Sequence, residues 1–215
     1  LRVRSATRDV VLTMPTRSSL GSAREFVERH AEWIGARLNR LPRPVPFEPG
    51  AIIPLRGVNH VIAHAPDSRG NVWVEAAGAP AGAPALCVAC EGPHVSRRVL
   101  DFLRREARRD LEAAVRRHTA AVGVAARRVT VRDTVSRWGS CSASGALNFS
   151  WRLILAPPYV LDYLAAHEVA HLVHLNHSAK FWALAKKLAP ETEQAEIWLK
   201  AHGASLHRFG GVEEE

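Results

Sequence analysis

Three cysteines in 215 residues exclude a disulfide framework. Cys87 and Cys90 form a lone C-x-x-C in "PALCVACEG", and no second pair follows to complete a zinc set. The flanks read as a buried strand, where residues three apart point to opposite faces. The pair therefore suits neither one metal nor a redox helix. Long apolar runs are missing too, and none approaches the roughly 18 to 20 residues that span a bilayer. The opening "LRVRSATRDVVLTMP" has no apolar segment leading to a small-residue cleavage site, nor does it begin with Met. A cytoplasmic protein with no membrane partner is the expectation. Lysine is scarce, at four against 25 arginines, and no internal repeat is found.

What is present suits a packed soluble fold. A hydrophobic fraction of 47% supplies a core for one domain, or for a catalytic domain with a smaller companion. The formal charge is +8, carried by Arg, which suits phosphate better than Lys does. Genome base composition also produces Arg excess. The charge leaves a nucleic-acid partner open without requiring one.

Along the chain, "RDVVLTMP" reads as a strand, and "SLGSAREFVERHAEWIGARLNRLP" as one helix stopped by Pro42. "AIIPLRGVNHVIAHA" and "NVWVEAAG" read as hairpins, residues 78–85 ("GAPAGAPA") as a loop, and "LCVACEG" as a strand. From His94 to Ala121 the spacing predicts one long amphipathic helix with arginines mostly off its apolar stripe. "RVTVRDTVSRWGSC" and "ALNFSWRLILAP" follow as two strand-like runs joined by a turn at "SASG". Pro157 and Pro158 open an amphipathic helix, "YVLDYLAAHEVAHLVHL". Ser178 caps another helix that ends at Pro190, and a last one stops at Gly203. The fold class expected is α+β, with a β-rich region holding one helix over 1–92 and a catalytic domain over 93–215.

The chemistry lies in "HEVAHLVHLNHS". His167 and His171 are four apart, so both project from one helix face and can grip one zinc ion. Glu168 is turned by about 100° and can reach the attacking water without ligating, as a general base. A catalytic zinc site takes three protein ligands and leaves one position open. Candidates for the third are His174, His177 and the acids Glu191, Glu193 and Glu196. In a continuing helix, His174 lies about 10.5 Å along the axis from His167, too far for three bonds of about 2 Å. The helix must end for a third ligand to fold back. Asn176 tolerates the left-handed conformation that ends helices, which favours His177 while leaving the others open.

Residues 136–182 resemble the YgjP-like metallopeptidases, relatives of the SprT-like and WLM zinc proteases. The resemblance rests on "RWGSC" at 137–141, "WRL" at 151–153, Pro157, Asp162 and Tyr163, the H-E-x-x-H, and "NHSAKFW" at 176–182. "EWI" at 32–34 and the F-x-P-G and L-x-G stretch at 47–57 extend it over nearly the whole chain. It implies a zincin-like catalytic domain with a small sheet packed on the motif helix. It also implies His167, His171 and His177 as zinc ligands, Glu168 as base, and a peptide or protein substrate.

The 137–141 block then reads as a strand beside the cleft that pairs with extended substrate. Arg137, Trp138, Gly139 and Ser140 are its candidate contacts, with Gly139 allowing close backbone approach. Tyr163, His174, Arg137 and Arg152 are candidates to stabilise the oxyanion. Cys141 reads as a small buried residue rather than a thiolate ligand. Two other readings stand beside the peptidase: a zinc hydrolase of a nucleotide phosphoanhydride, and a DNA-associated protease. No zinc-finger pair, helix-turn-helix or basic tail supports the second of these, and the chain ends in "VEEE".

Overall fold

The computed structural model describes residues 1–4, 8–68, 70–76 and 84–210. The expected small-residue loop at 78–85 lies almost wholly outside them. The first strand expected is a two-stranded antiparallel ribbon of β1 (Arg2–Val3) and β2 (Val10–Val11). The single helix expected next is two, α1 (Leu20–Arg29) and α2 (Ala31–Asn39). They break at His30, whose ring stacks on Phe26 and whose Nδ1 bonds the Phe26 carbonyl at 2.8 Å. A four-stranded sheet follows, made of β3 (Ile52–Leu55), β4 (Val58–His64), β5 (Val72–Glu75) and β6 (Ala85–Val88) in the order β3-β4-β6-β5. Cys87 is buried in β6 and Cys90 lies beyond it, both free thiols.

The long helix is present as α3 (Val95–Val122), burying Val95, Val99, Phe102, Leu103, Leu111 and Val115. The arginines off that stripe let one side face water. After it, the two runs read as strands resolve differently. The first is β7 (Arg128–Arg132) and β8 (Gly139–Cys141), separated by a loop. The second is β9 (Ala146–Ser150) and then a 3-10 turn over Trp151–Leu155, not a continued strand. All five residues of that turn are buried, so its apolar run is explained by burial on every side rather than by sheet pairing. The second sheet has the order β7-β9-β8, with β7 parallel and β8 antiparallel to β9. Three helices complete the fold: α4 (Pro158–His171), α5 (Ala179–Leu188) and α6 (Thr192–Leu206).

The small sheet packs on the motif helix, as the α+β zincin-like reading requires. But α4 is not an amphipathic surface helix. It buries Val160, Leu161, Tyr163, Leu164, Ala165, Ala166, Glu168, Val169 and Ala170, around most of its circumference. A central helix of this kind holds its side chains on a rigid axis. One core joins β3, β4 and β6 to α3, α4 and β9. The β3–β4 turn is docked too, as the Arg56 and Gly57 amides donate to the carbonyls of Ile154 and Leu155.

Asp162 ties α4 to α3 through His118 Nε2 at 2.7 Å and through Arg117. Burial alone would raise its pKa, but His118 and Arg117 outweigh that and hold the carboxyl below its ordinary value. A folded pKa below the unfolded one stabilises the fold above about pH 4, and that contribution is lost as pH falls through the folded value. Asp162→Asn is therefore expected to lower the Tm by about 2–4 °C near neutral pH. Thermal melts down to about pH 3 should show this gap closing as the wild-type carboxyl protonates.

Candidate metal centre

His167 and His171 project from the last turn of α4, and His177 reaches back from the loop before α5. Their nearest ring nitrogens all lie within 4.8 Å of one another. The Nε2 atoms of His167 and His177 are 3.2 Å apart. Two nitrogens bound tetrahedrally to one zinc at about 2.0–2.1 Å would stand about 3.3 Å apart. That pair has the spacing of a tetrahedral ion, and the His171 ring lies close enough to join as a third donor, which leaves a fourth position.

The helix ends earlier than the left-handed Asn176 would have ended it. Leu172 is the C-cap, with right-handed φ and ψ of −67° and −21°. The amides of Leu172 and Val173 donate three residues back, to Val169 and Ala170, which tightens the last turn. Asn176 has no positive φ. Val173 and Leu175 stay 42% and 80% exposed, so continuing the helix would have gained little burial. Ser178 caps α5 as expected, accepting from the Phe181 amide at 3.4 Å. That cap starts α5 where Phe181 can serve as the floor of the site. Its buried ring lies 4.5–4.9 Å from all three imidazoles, with Trp182 beside His167 and His177. The F-W pair was legible as a motif, but its place under the histidines was not.

The ring orientations are supported from behind. His171 Nδ1 is 3.1 Å from the His174 carbonyl, which fixes Nδ1 as the donor and leaves Nε2 its lone pair. His174 thus takes part through its backbone, and its side chain is not in the cluster. Tyr163, only 5% exposed, donates from Oη to Glu196 Oε1 at 3.0 Å and lies 3.4 Å from His167 Nδ1. Burial first, and then Glu196, push its phenol pKa far up. Among the other acids weighed, Glu193 pairs with Lys186 and Glu191 precedes α6. Burial above all, with His171 and His177 nearby, lowers the His167 pKa to about 4, and burial also lowers that of His171. Both rings are neutral near pH 7, the form that binds metal.

Glu168 is 4% exposed, on the side of α4 that meets β8. Burial raises its pKa to about 7, with Arg137 pulling the other way. A carboxylate poised there is suited to take and return a proton. Gly139 lies directly against it, since a Cβ at that position would stand 2.5 Å from Glu168 Oε1. The close approach expected of Gly139 is thus to Glu168. Cys141, two residues on, feels the same carboxylate. Its thiol is pushed up mainly by burial and it stays outside the histidine cluster. Ser140 alternates to the other face of the strand.

Trp138 packs on α6, with its ring 5.1 Å from His207 and against Gly203. Gly203 is therefore a packing contact inside α6 and not a helix stop. Arg152 is committed elsewhere, to Asp133 and to the carbonyls of Leu206 and Phe209, and does not reach the site. Trp151 is core, fully buried.

A metal-dependent peptidase is the class this arrangement fits. The chain belongs to the YgjP-like family: the model of the YgjP-like metallopeptidase domain matches residues 1–202. A peptide or protein substrate and a metal cofactor follow from that membership. A solved structure, the metallopeptidase zymogen of Pyrococcus abyssi abylysin, is similar at TM-score 0.37 and 22% identity, over 42% of this chain and 93% of that one. No curated protein matches the chain. Among the described residues, no helix is long and apolar enough to cross a membrane.

Proposed function

We propose that the protein is a zinc-dependent peptidase in which His167, His171 and His177 hold the zinc and Glu168 is the general base. The observation that carries this is the convergence of three imidazoles within 4.8 Å beside the buried Glu168. Zinc bound there would polarise the scissile carbonyl and acidify the attacking water. Glu168 accepts the proton of that water on a carboxylate oxygen and passes it to the leaving nitrogen.

The substrate lies along β8, the edge strand of the small sheet that packs on α4. The Trp138 carbonyl and the Ser142 amide bond toward β9. By alternation, the amides and carbonyls of Gly139 and Cys141 face outward, beside Glu168, where an extended peptide can pair with them. Of the oxyanion candidates, Tyr163 and Arg152 already have partners. Arg137 and His174 are the ones left for that role.

Tyr163 and Glu196 act on His167 instead. With the phenol donating to Glu196, its oxygen accepts from His167 Nδ1 and turns Nε2 toward the metal. Tyr163→Phe is expected to weaken zinc binding by about 10- to 100-fold, measured by competition with a chelator. Glu196→Gln should follow in the same direction with a smaller loss.

The whole reading is tested by incubating chelated and zinc-restored protein with a mixed peptide library and a nucleotide panel. Peptide cleavage that vanishes on chelation and returns with zinc is expected. Nucleotide hydrolysis without peptide cleavage would overturn it.

A further inference from the structure

Beside the N-terminal end of β8 is a cleft of roughly 410 Å³. Its walls include Arg2, Arg4, Arg137, Trp138 and His207, and no carboxylate lines it. Arg2 lies on β1 and Arg4 directly follows the strand, and both line this cleft. Among the described residues, none of the three arginines forms an ion pair with an acid. Arg137 is close enough to act on the Glu168 carboxylate, but it makes no ion pair with it, so all three guanidiniums keep their donors for an anion, and a planar guanidinium matches a carboxylate with two parallel hydrogen bonds.

The cleft is built rather than incidental. Its Trp138 wall is clamped by Gly203 and His207 of the α6 end, and the Trp138 carbonyl is held by the Ser150 amide at 2.9 Å. Thr134 Oγ1 donates to the Arg137 carbonyl at 2.8 Å, fixing the loop that presents Arg137. The position relative to the site follows by two routes. Residues 135–138 lead directly into Gly139, which touches Glu168. On α6, Ala204 lines the cleft, and it is about 12 Å along the axis from Glu196, which bonds Tyr163. At about 3.3 Å per extended residue, the cleft is reached roughly two to four residues from the cleaved bond.

We propose that this cleft is a substrate subsite for a carboxylate, so that the enzyme selects peptides with an acidic group two to four residues from the cleaved bond. This rests on the peptidase reading above. The carboxylate is either an Asp or Glu side chain or the free C-terminus of a short product-like peptide. Both use the same guanidiniums.

The test uses zinc-loaded Glu168→Gln protein, so that binding is read without turnover. Fluorescent peptides, amidated at the C-terminus, carry one Glu at successive positions, beside an all-neutral peptide and the same neutral peptide with a free C-terminus. One acidic register is expected to bind about tenfold tighter than the neutral amide, and the gain should vanish in an added Arg2→Ala, Arg4→Ala pair. A gain with the free C-terminus only would assign the cleft to a terminal carboxylate. Equal affinity for all peptides, or a gain that survives the double substitution, would overturn the proposal. So would a single-stranded oligonucleotide that displaces the acidic peptide and binds tighter, since the cleft would then serve phosphates. Cleavage by the wild-type protein is scored separately. Its absence, with acidic binding intact, would sink the peptidase chemistry and leave the subsite standing.

Discussion

Replacing Gly139 with Ala is expected to cut peptide hydrolysis by about 100-fold while the chain keeps its zinc. The added Cβ would stand 2.5 Å from Glu168 Oε1, 2.8 Å from its Cγ and 2.9 Å from its Cδ. Carbon atoms do not share that space, so the carboxylate or the strand must move by a large fraction of an ångström. Glu168 is packed on a buried helix and has little room to yield without leaving its place beside the histidines. A displacement of about 1 Å at a reacting group costs on the order of 100-fold in rate. The backbone of Gly139 is not left-handed, so Ala adopts it freely, and the loss is a side-chain collision alone. Glu168→Gln sets the scale, because removing a general base costs about 100- to 10,000-fold. Both variants should lower kcat rather than raise KM, and both should bind zinc as the wild type does. A Gly139→Ala enzyme with full kcat would show that the strand does not position the base.

The same contact shows how far the sequence carries. A glycine in a strand signals a close approach of something, and "RWGSC" announced one. Which partner approaches depends on how α4 lies against β8, and that is a tertiary fact. His167 and His171 were legible because four residues on a helix fix a face whatever the helix packs on. That His177 folds back to join them within 4.8 Å was legible as the favoured of several candidates, because geometry forbids three ligands in a straight row wherever the helix stops. The stopping point itself was misread: local preference pointed to Asn176, but the loss of burial beyond Leu172 decided it. The 3-10 turn at Trp151–Leu155 was hidden for a similar reason, since an apolar run buried on all sides carries no period. Tyr163 was one of four candidates to stabilise the oxyanion. Its partner Glu196 is 33 residues away on another helix, beyond any local pattern. The motif helix also looked amphipathic, yet it is central to the core, which is why so many of the site's supports come from distant elements.

Two alanine substitutions three residues apart should separate the roles of the loop histidines. His177→Ala is expected to take the purified protein from about one zinc per chain to near none after dialysis against a weak chelator. His174→Ala should keep its zinc. The His177 ring brings its Nε2 within 3.2 Å of the His167 Nε2, and no other group of the loop joins that cluster. Its removal leaves two imidazoles from one helix face, short of the three protein ligands a catalytic zinc needs. His174 contributes its carbonyl to His171 Nδ1, and a backbone oxygen survives the change to Ala. The His171 ring therefore keeps its tautomer and its free nitrogen. His177 is exposed and lies on a loop, so its loss should leave the apo fold intact. Zinc content by elemental analysis, read beside circular dichroism, separates ligand loss from unfolding. Full zinc in His177→Ala with loss in His174→Ala would reverse the assignment and require the loop to close on the ion through the other ring.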